Sequence, residues 1–122
     1  MKNTVSLKEN REFSRLYRSG KCIPADSIVI YFKKNKLGIN RLGITCTKKI
    51  GKAVVRNRVR RRIKESYREI ENRLAGGTYD IVIVARMKAA SSDYKKISSA
   101  LRYLCNKALL FEKNEKYINQ VN

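Results

Sequence analysis

Residues 48–68 read KKIGKAVVRNRVRRRIKESYR, and this stretch decides the fold. From about Ala53 to Leu74, apolar residues recur at steps of three and four, which is the period of an amphipathic α-helix. The recurring positions form one stripe: Val55, Val59, Ile63, Tyr67, Ile70 and Leu74. The stripe predicts a helix with one face buried in a core, and Gly76-Gly77 predicts its end.

The other face of this predicted helix is strongly basic. Ten of the 29 Lys and Arg residues of the chain lie in these 21 positions, beside one acid, Glu65. Solvated helix faces usually alternate acids with bases, because such pairs stabilise a helix. Here like charges adjoin, and Lys52, Arg56 and Arg58 lie near the helix N-terminus, where the helix dipole disfavours cations. The alternative is an ordinary solvent-exposed face, but the clustering of cations favours a binding site for a polyanion. The many arginines support this, because a guanidinium group can bind phosphate with two hydrogen bonds.

Shorter patterns predict the remaining elements. The first is a helix that Ser6 and Glu9 open at capping-box spacing and that Gly20 stops after about Ser19, followed by a turn at Pro24 and Asp26. Two strands come next, at Ser27–Lys33 and Arg41–Thr47, with a hairpin loop at Lys34–Asn40 between them. After the basic helix, the patterns predict a buried strand at Asp80–Ala85, a helix at Ser92–Phe111 and a frayed tail at Lys113–Asn122. Together they predict one α+β domain over residues 1–122, an α/β sandwich of about four strands and three helices.

Composition narrows the class of partner. The chain carries 29 basic and 10 acidic residues, a formal net charge of +19. So much like charge in one domain favours binding to a polyanion, above all nucleic acid; an acidic membrane surface or simple solubility are the alternatives. The three cysteines lack metal-site spacing, and no signal peptide or membrane span is apparent. We therefore expect a cytoplasmic protein without a membrane partner.

The residues give no sign of a catalytic centre. The chain has no histidine, and Asp26, Asp80 and Asp93 lie in different predicted elements. Nucleases usually need a general base or clustered carboxylates that hold metal. We therefore expect no catalytic residue and no certain metal site in this chain.

Aromatic residues of the first predicted helix admit two interpretations. Phe13 and Tyr17 are four residues apart and share a helix face with nearby arginines. Aromatic rings among cations suit single-stranded nucleic acid. Such rings are more often part of a core, and the same holds for Tyr31 on its strand. The residues alone leave this open.

The sequence resembles the bacterial ribonuclease P protein family. The string from Lys48 to Glu65, with Arg56-Asn57-Arg58 at its centre, resembles the family signature. Weaker likenesses cover most of the chain: Leu7, Phe13 and Tyr17 in the first helix, Arg41 and Gly43 before the basic segment, and Asp80 to Arg86 in the buried strand. Two positions depart from the family pattern, because Tyr17 stands where many members carry Phe and Cys46 where the residue is often aliphatic.

The resemblance implies a subunit that binds a catalytic RNA and helps it remove the 5′ leader of precursor tRNA. Residues implied to bind the catalytic RNA are Arg56, Asn57, Arg58, Arg60, Arg61 and Lys64. Residues implied to bind the leader, in a cleft between the first helix and the sheet, are Phe13, Tyr17, Tyr31, Lys48, Lys49, Lys52 and Arg86. The resemblance also implies Mg²⁺ held mainly by the RNA, and a ribosomal-protein-like fold with a left-handed β-α-β crossover, against the general right-handed rule.

Two other classes of function compete with this one. A ribosomal protein or general RNA chaperone also predicts salt-sensitive RNA binding, but no dependence on a leader. A DNA-binding helix protein would need exposed polar side chains that read bases. Beside the apolar stripe, Asn57 is the one such candidate on the basic helix, so we expect no DNA partner.

Overall fold

The computed structural model describes residues 4–74, 78–108 and 110. Its helices and strands are β1 (Thr4–Ser6), α1 (Asn10–Ser19), β2 (Lys21–Pro24), β3 (Ile28–Lys34), β4 (Asn40–Thr45), α2 (Ala53–Ile70), β5 (Tyr79–Ala85) and α3 (Tyr94–Lys107). Short 3₁₀ turns lie at Lys48–Ile50, Glu71–Arg73 and Met87–Ser91. The predicted α+β class is confirmed. Gly76-Gly77, Phe111 and the tail Lys113–Asn122 lie outside the described residues.

The strands form one sheet in the order β1-β4-β5-β3-β2. β4 runs parallel to β1 and to β5, whereas β3 runs antiparallel to both of its neighbours. β5 lies at the centre, where Ile81, Val82 and Ile83 are buried, so the predicted buried strand is confirmed. Because β4 and β5 are parallel neighbours joined through α2, they form a β-α-β unit; its hand stays a prediction from the resemblance.

The strand pairing corrects the predicted hairpin. β3 and β4 are consecutive in the chain, but β5 lies between them, so Lys34–Asn40 is not a hairpin loop. The hairpin joins β2 to β3 through the turn after Pro24. The sheet has five strands rather than about four, because β1 and β2 are short edge strands without a periodic pattern. Proline suits an edge, since it cannot donate to a strand ladder.

The ends of the helices differ in part from the prediction. Ser6 does not open α1; it pairs with Leu42 in the sheet, and the helix begins at Asn10 without a side-chain cap. The predicted stop is confirmed, because the Gly20 N–H donates to the Leu16 carbonyl at 2.8 Å. α3 is shorter than predicted and begins after Asp93, whose carboxylate accepts from the Lys96 N–H and caps the helix.

One face of the sheet carries the main core. α2 and α3 cover it, and the predicted apolar stripe is buried from Val59 onward, with Val55 half-buried at its start. The sheet contributes alternate residues such as Ile30 and Ile83, both fully buried. The Tyr67 hydroxyl hydrogen-bonds the Thr4 hydroxyl at 2.7 Å and so links α2 to β1. Burial raises the pKa of Tyr67 to about 12.

None of the helices within residues 4–74, 78–108 and 110 is both long and apolar enough to cross a bilayer.

Candidate nucleic-acid interface

Among the described residues, α1 is the one helix that packs on the second face of the sheet. The residues of this face form three rows across the strands: Arg41, Asp80 and Lys33; Gly43, Val82, Tyr31 and Cys22; and Thr45, Val84, Val29 and Pro24. α1 packs mainly on the first two rows, and it reaches the third through the Tyr17 hydroxyl, which hydrogen-bonds Thr45. In the third, which we call the open row, Pro24 is exposed and the other three side chains are half-buried. The open row is therefore a shallow floor that ends against α1.

An ionic clamp fixes α1 to the sheet. The Arg41 guanidinium donates to both carboxylate oxygens of Asp80, at 2.8 and 2.7 Å, and to the Glu12 carboxylate of α1. The hydrogen bonds to Asp80 raise the pKa of Arg41. Burial would raise the pKa of Asp80, but hydrogen bonds from Arg41 and Asn35 outweigh it and hold that pKa below its usual value. The Arg41–Asp80 ion pair therefore stays charged at neutral pH and into the mildly acid range.

Phe13 contacts the sheet through a glycine. A β-carbon placed on Gly43 would lie only 2.5 Å from the Phe13 ring. The ring of Phe13 therefore lies on the bare backbone of β4, and the absence of a side chain at position 43 sets how closely α1 approaches the sheet. Leu16 of α1, together with Leu7 and Val82, forms the small core beneath this contact.

Three aromatic rings lie together beside the open row. Tyr17 packs edge-on against Tyr31 with ring centroids 4.9 Å apart, and against Phe13 at 6.4 Å. The Tyr17 hydroxyl hydrogen-bonds the Thr45 hydroxyl at 2.6 Å, yet 40% of the residue remains exposed. The pKa of Tyr31 is raised, mainly by a hydrogen bond with Cys22 and to a smaller extent by burial. We call these three rings and the open row the aromatic cleft.

Four predicted leader contacts lie near the end of the sheet to which the open row belongs. β4 and β5 are parallel, so the segments that follow them leave at the same edge. Lys48, Lys49 and Lys52 follow β4, Arg86 follows β5, and all four are exposed. Gly51, with a φ of +149°, allows the chain to turn there from the Lys48–Ile50 turn into α2. The sheet topology thus brings cations from two separate segments to one end of the cleft.

The predicted RNA-binding side chains form the outer face of α2. Asn57, Arg60, Arg61 and Lys64 are exposed, whereas Arg56 and Arg58 are half-buried. Within the described residues, Arg68 and Glu65 form the one ion pair of this helix, at 3.1 Å. The Nε atoms of Arg56 and Arg58 are buried without a hydrogen-bond partner in the described part of the chain. Unneutralised cations along one helix face are suited to a row of phosphates.

Some arginines of α2 also bind the protein itself. Arg62 donates to the Ser92 carbonyl at 2.7 Å, Arg60 to the Cys46 carbonyl at 3.3 Å, and Arg58 weakly to the Ala90 carbonyl at 3.4 Å. Arg62 is half-buried, and this internal bond engages its guanidinium. These bonds limit how far the side chains can move, and they order one flank of the basic face.

Sequence reasoning missed the floor of the cleft. Val29 and Val84 share the face of Tyr31, and Thr45 orients Tyr17, but none of them was a predicted site residue. The two-residue period of β3 and β5 placed Val29 with Tyr31 and Val84 with Val82. What the period could not give is which strands are neighbours.

In residues 4–74, 78–108 and 110, no three His, Cys, Asp or Glu side chains come together as a metal site would require.

The fold and its surfaces define a class: a small basic α+β protein with an aromatic cleft on one sheet face and a cationic helix beside it. Comparison with known proteins agrees. The family model described as Ribonuclease P matches residues 1–109. The chain is 41% identical over 112 residues to the ribonuclease P protein component of Thermoanaerobacter sp. strain X514, covering 92% of this chain and 96% of that one.

Solved structures give the same assignment. The RNase P protein of Staphylococcus aureus is 30% identical, with a TM-score of 0.80 over 88% of this chain and 97% of that chain. The RNase P protein of Thermotoga maritima is also 30% identical, with a TM-score of 0.73 over 81% of this chain and 93% of that chain. The chain belongs to the ribonuclease P protein family.

Proposed function

We propose that this chain is the protein subunit of a ribonuclease P, and that it binds the catalytic RNA and the 5′ leader of precursor tRNA. It assists the endonucleolytic removal of the leader, and the catalytic centre lies in the RNA. The observation that carries the proposal is the aromatic cleft: three adjoining rings beside an uncovered sheet row, with cations at its end. Family membership supports it.

The leader is assigned to the cleft by its chemistry. Every base offers a flat face, so bases stack on aromatic rings in a sequence-tolerant way, at about 1–3 kcal/mol each. Tyr17 is the exposed ring, and its hydrogen bond to Thr45 holds it at a fixed angle. Lys48, Lys49, Lys52 and Arg86 lie where phosphates of the same strand would leave the rings.

The catalytic RNA is assigned to the outer face of α2. Its exposed members Asn57, Arg60, Arg61 and Lys64 form a continuous helical surface, and the exposed acids of α2, Glu65 and Glu69, lie toward its C-terminal end. Each phosphate contact releases counterions, so affinity for this RNA depends steeply on salt. The helix and the cleft are separate surfaces, which allows one protein to hold the enzyme RNA and its substrate together.

Magnesium is proposed to be held mainly by the RNA. The described residues bring together no cluster of metal ligands, and the carboxylates of Glu12 and Asp80 are engaged by Arg41. The residues of this chain therefore contribute binding and orientation of the strand.

The test is binding of one precursor tRNA with and without its leader, to the protein assembled with the catalytic RNA. We expect tighter binding of the leader-bearing form, and in Tyr17→Ala an approximately tenfold loss of this preference, as expected for one stacked base. Tyr17→Phe is the matched control, since it keeps the ring and loses the bond to Thr45. Equal binding of both substrates to the unaltered complex would instead support a ribosomal protein or RNA chaperone.

A further inference from the structure

A second cavity lies next to the aromatic cleft, on the other side of a turn. It has a volume of about 940 Å³, and residues 24–27 form one wall while α3 forms the other. Pro24 belongs to both surfaces, because it ends the open row and also lines this cavity. We call it the α3 cavity. The proposed leader site does not include it.

The lining of the α3 cavity is cationic and carries an exposed ring. Lys88, Lys95 and Lys96 line it, together with Tyr103, which is 53% exposed. The Lys107 ammonium lies 5.6 Å from the centre of the Tyr103 ring and hydrogen-bonds its hydroxyl. An exposed aromatic ring among lysines is the combination that the aromatic cleft also presents.

The two acids of the cavity are already engaged. Asp26 lies 3.4 Å from the Lys88 ammonium, and Asp93 caps α3 by accepting from the Lys96 backbone. Within the described residues, the side-chain ammonium groups of Lys95 and Lys96 form no ion pair. Their charges are therefore available to an anion, and the helix end itself is satisfied by Asp93.

Arg86 and Lys88 connect the two surfaces. The Arg86 guanidinium donates to the Ala25 carbonyl at 3.0 Å, and its backbone N–H donates to the Ser27 carbonyl at 2.9 Å. The turn is thus attached to the residue that follows β5, and Lys88 comes two positions later, on the cavity side. From Val84 to Pro24 the sheet spans two strand spacings, about 10 Å. A strand that crosses the open row toward Pro24 therefore passes Arg86 and reaches the side of the turn on which Lys88 lies.

We propose that the α3 cavity binds the 5′-distal nucleotides of the same single-stranded leader, with Tyr103 stacking on a base and Lys88, Lys95 and Lys96 contacting phosphates. This inference rests on the proposed function, since the strand arrives from the aromatic cleft. It predicts that long leaders are held at two places and short leaders at one.

The test compares two precursor tRNAs with the same tRNA body and leaders of about 5 and about 15 nucleotides, which lie near the two ends of the range of strand lengths that small folds hold. Both are bound to the complex of the full chain with the catalytic RNA. In Lys95→Ala/Lys96→Ala, and separately in Tyr103→Ala, we expect affinity for the long leader to fall about tenfold and affinity for the short leader to stay unchanged.

The matched control is Lys34→Ala/Lys36→Ala, which removes two exposed lysines at the opposite end of β3. It should weaken neither leader selectively. If Lys95→Ala/Lys96→Ala and Lys34→Ala/Lys36→Ala lower the affinity for both leaders equally, the proposal is overturned in favour of a general charge effect. The absence of any loss in the α3 variants would overturn it as well.

Tyr17→Ala separates this inference from the proposed function. If Tyr17→Ala weakens both leaders while the α3 variants weaken neither, only the α3 cavity is wrong. If Tyr17→Ala weakens binding of neither leader, the aromatic cleft is not the leader site, and the proposed binding of the leader in the α3 cavity is wrong as well.

Discussion

The two faces of the sheet are made by alternate residues of the same strands, yet they differ in how completely they are covered. On one face, α2 and α3 bury positions such as Ile28, Ile30 and Ile83 completely. On the other, α1 is ten residues long and leaves the open row half-buried. The comparison teaches that one set of strands stabilises the protein through one face and presents a binding surface through the other. Adjacent residues should therefore respond differently to the same substitution.

The largest difference in the free energy of unfolding is expected between substitutions at two neighbouring residues of β3. Ile30→Ala should lower the free energy of unfolding by about 2–5 kcal/mol, because it leaves a cavity in a fully buried core. Val29→Ala removes a half-buried side chain from the open row and should cost about 1 kcal/mol. Urea denaturation of both variants measures the difference. Equal losses would mean that the open row is as much a core as the opposite face.

A second test concerns how α1 sits on its face. Gly43→Ala should lower the free energy of unfolding by about 1–3 kcal/mol, since the new methyl group occupies the place of the Phe13 ring. The double variant Gly43→Ala/Phe13→Ala should lose less free energy of unfolding than the sum of the two single losses, because there is no longer a ring for the new methyl group to displace. Denaturation of the two single variants and the double variant gives this coupling. Strict additivity would show that Phe13 does not limit the approach of α1.

Acid should weaken the clamp that holds α1. The folded pKa of Asp80 lies below its unfolded value, so its carboxylate stabilises the fold fully above the unfolded pKa. This contribution, about 1–2 kcal/mol, is lost as the pH falls from about 5 through the folded pKa. Asp80→Asn should remove that part of the acid dependence when stability is measured between pH 7 and 3. Asp93→Asn is the control, because asparagine is an equally good helix cap; a matching change there would contradict the assignment.

The smallest effect on stability, and the clearest on binding, is expected for neighbours in α2. Arg61→Ala should leave stability unchanged and lower the salt dependence of binding to the catalytic RNA by about one unit of slope. Arg62→Ala should cost about 1 kcal/mol of stability, because Arg62 donates to the Ser92 carbonyl inside the protein. Titrations over a range of salt, paired with melting curves, separate the two. A larger change of slope in Arg62→Ala would reverse the roles.

The elements that local patterns predicted are those whose own residues repeat. α2 carries its stripe over five turns, and β5 carries consecutive aliphatic residues, so both were predicted close to where the structure has them. α2 ends earlier than predicted, at Ile70, and a 3₁₀ turn at Glu71–Arg73 leads from there to Leu74. β1 has three residues and exists because it pairs with β4, some 36 positions later in the chain. Nothing within Thr4–Ser6 marks such a partner. The predicted hairpin failed for the same reason, since pairing depends on β5, which is distant in sequence.

The candidate site divides in the same way. Phe13, Tyr17 and Tyr31 were predicted together on the resemblance, and the structure brings their rings into contact. The residues alone left open whether these rings are core or surface. Only the placement of α1 decides it, because the same helix buries Leu16 and leaves Tyr17 partly exposed. Thr45 and Val84 became visible as neighbours once the register of β4 and β5 was known.

The position of β5 also governs when the protein can fold during synthesis. Before Tyr79 leaves the ribosome, the nascent chain has two separate pairs of strands, β1 with β4 and β2 with β3, and two-stranded units are at best marginally stable in water. β5 is the strand that joins them. We therefore expect folding to wait for the last third of the chain, because a product truncated before Tyr79 lacks the strand that joins the two pairs.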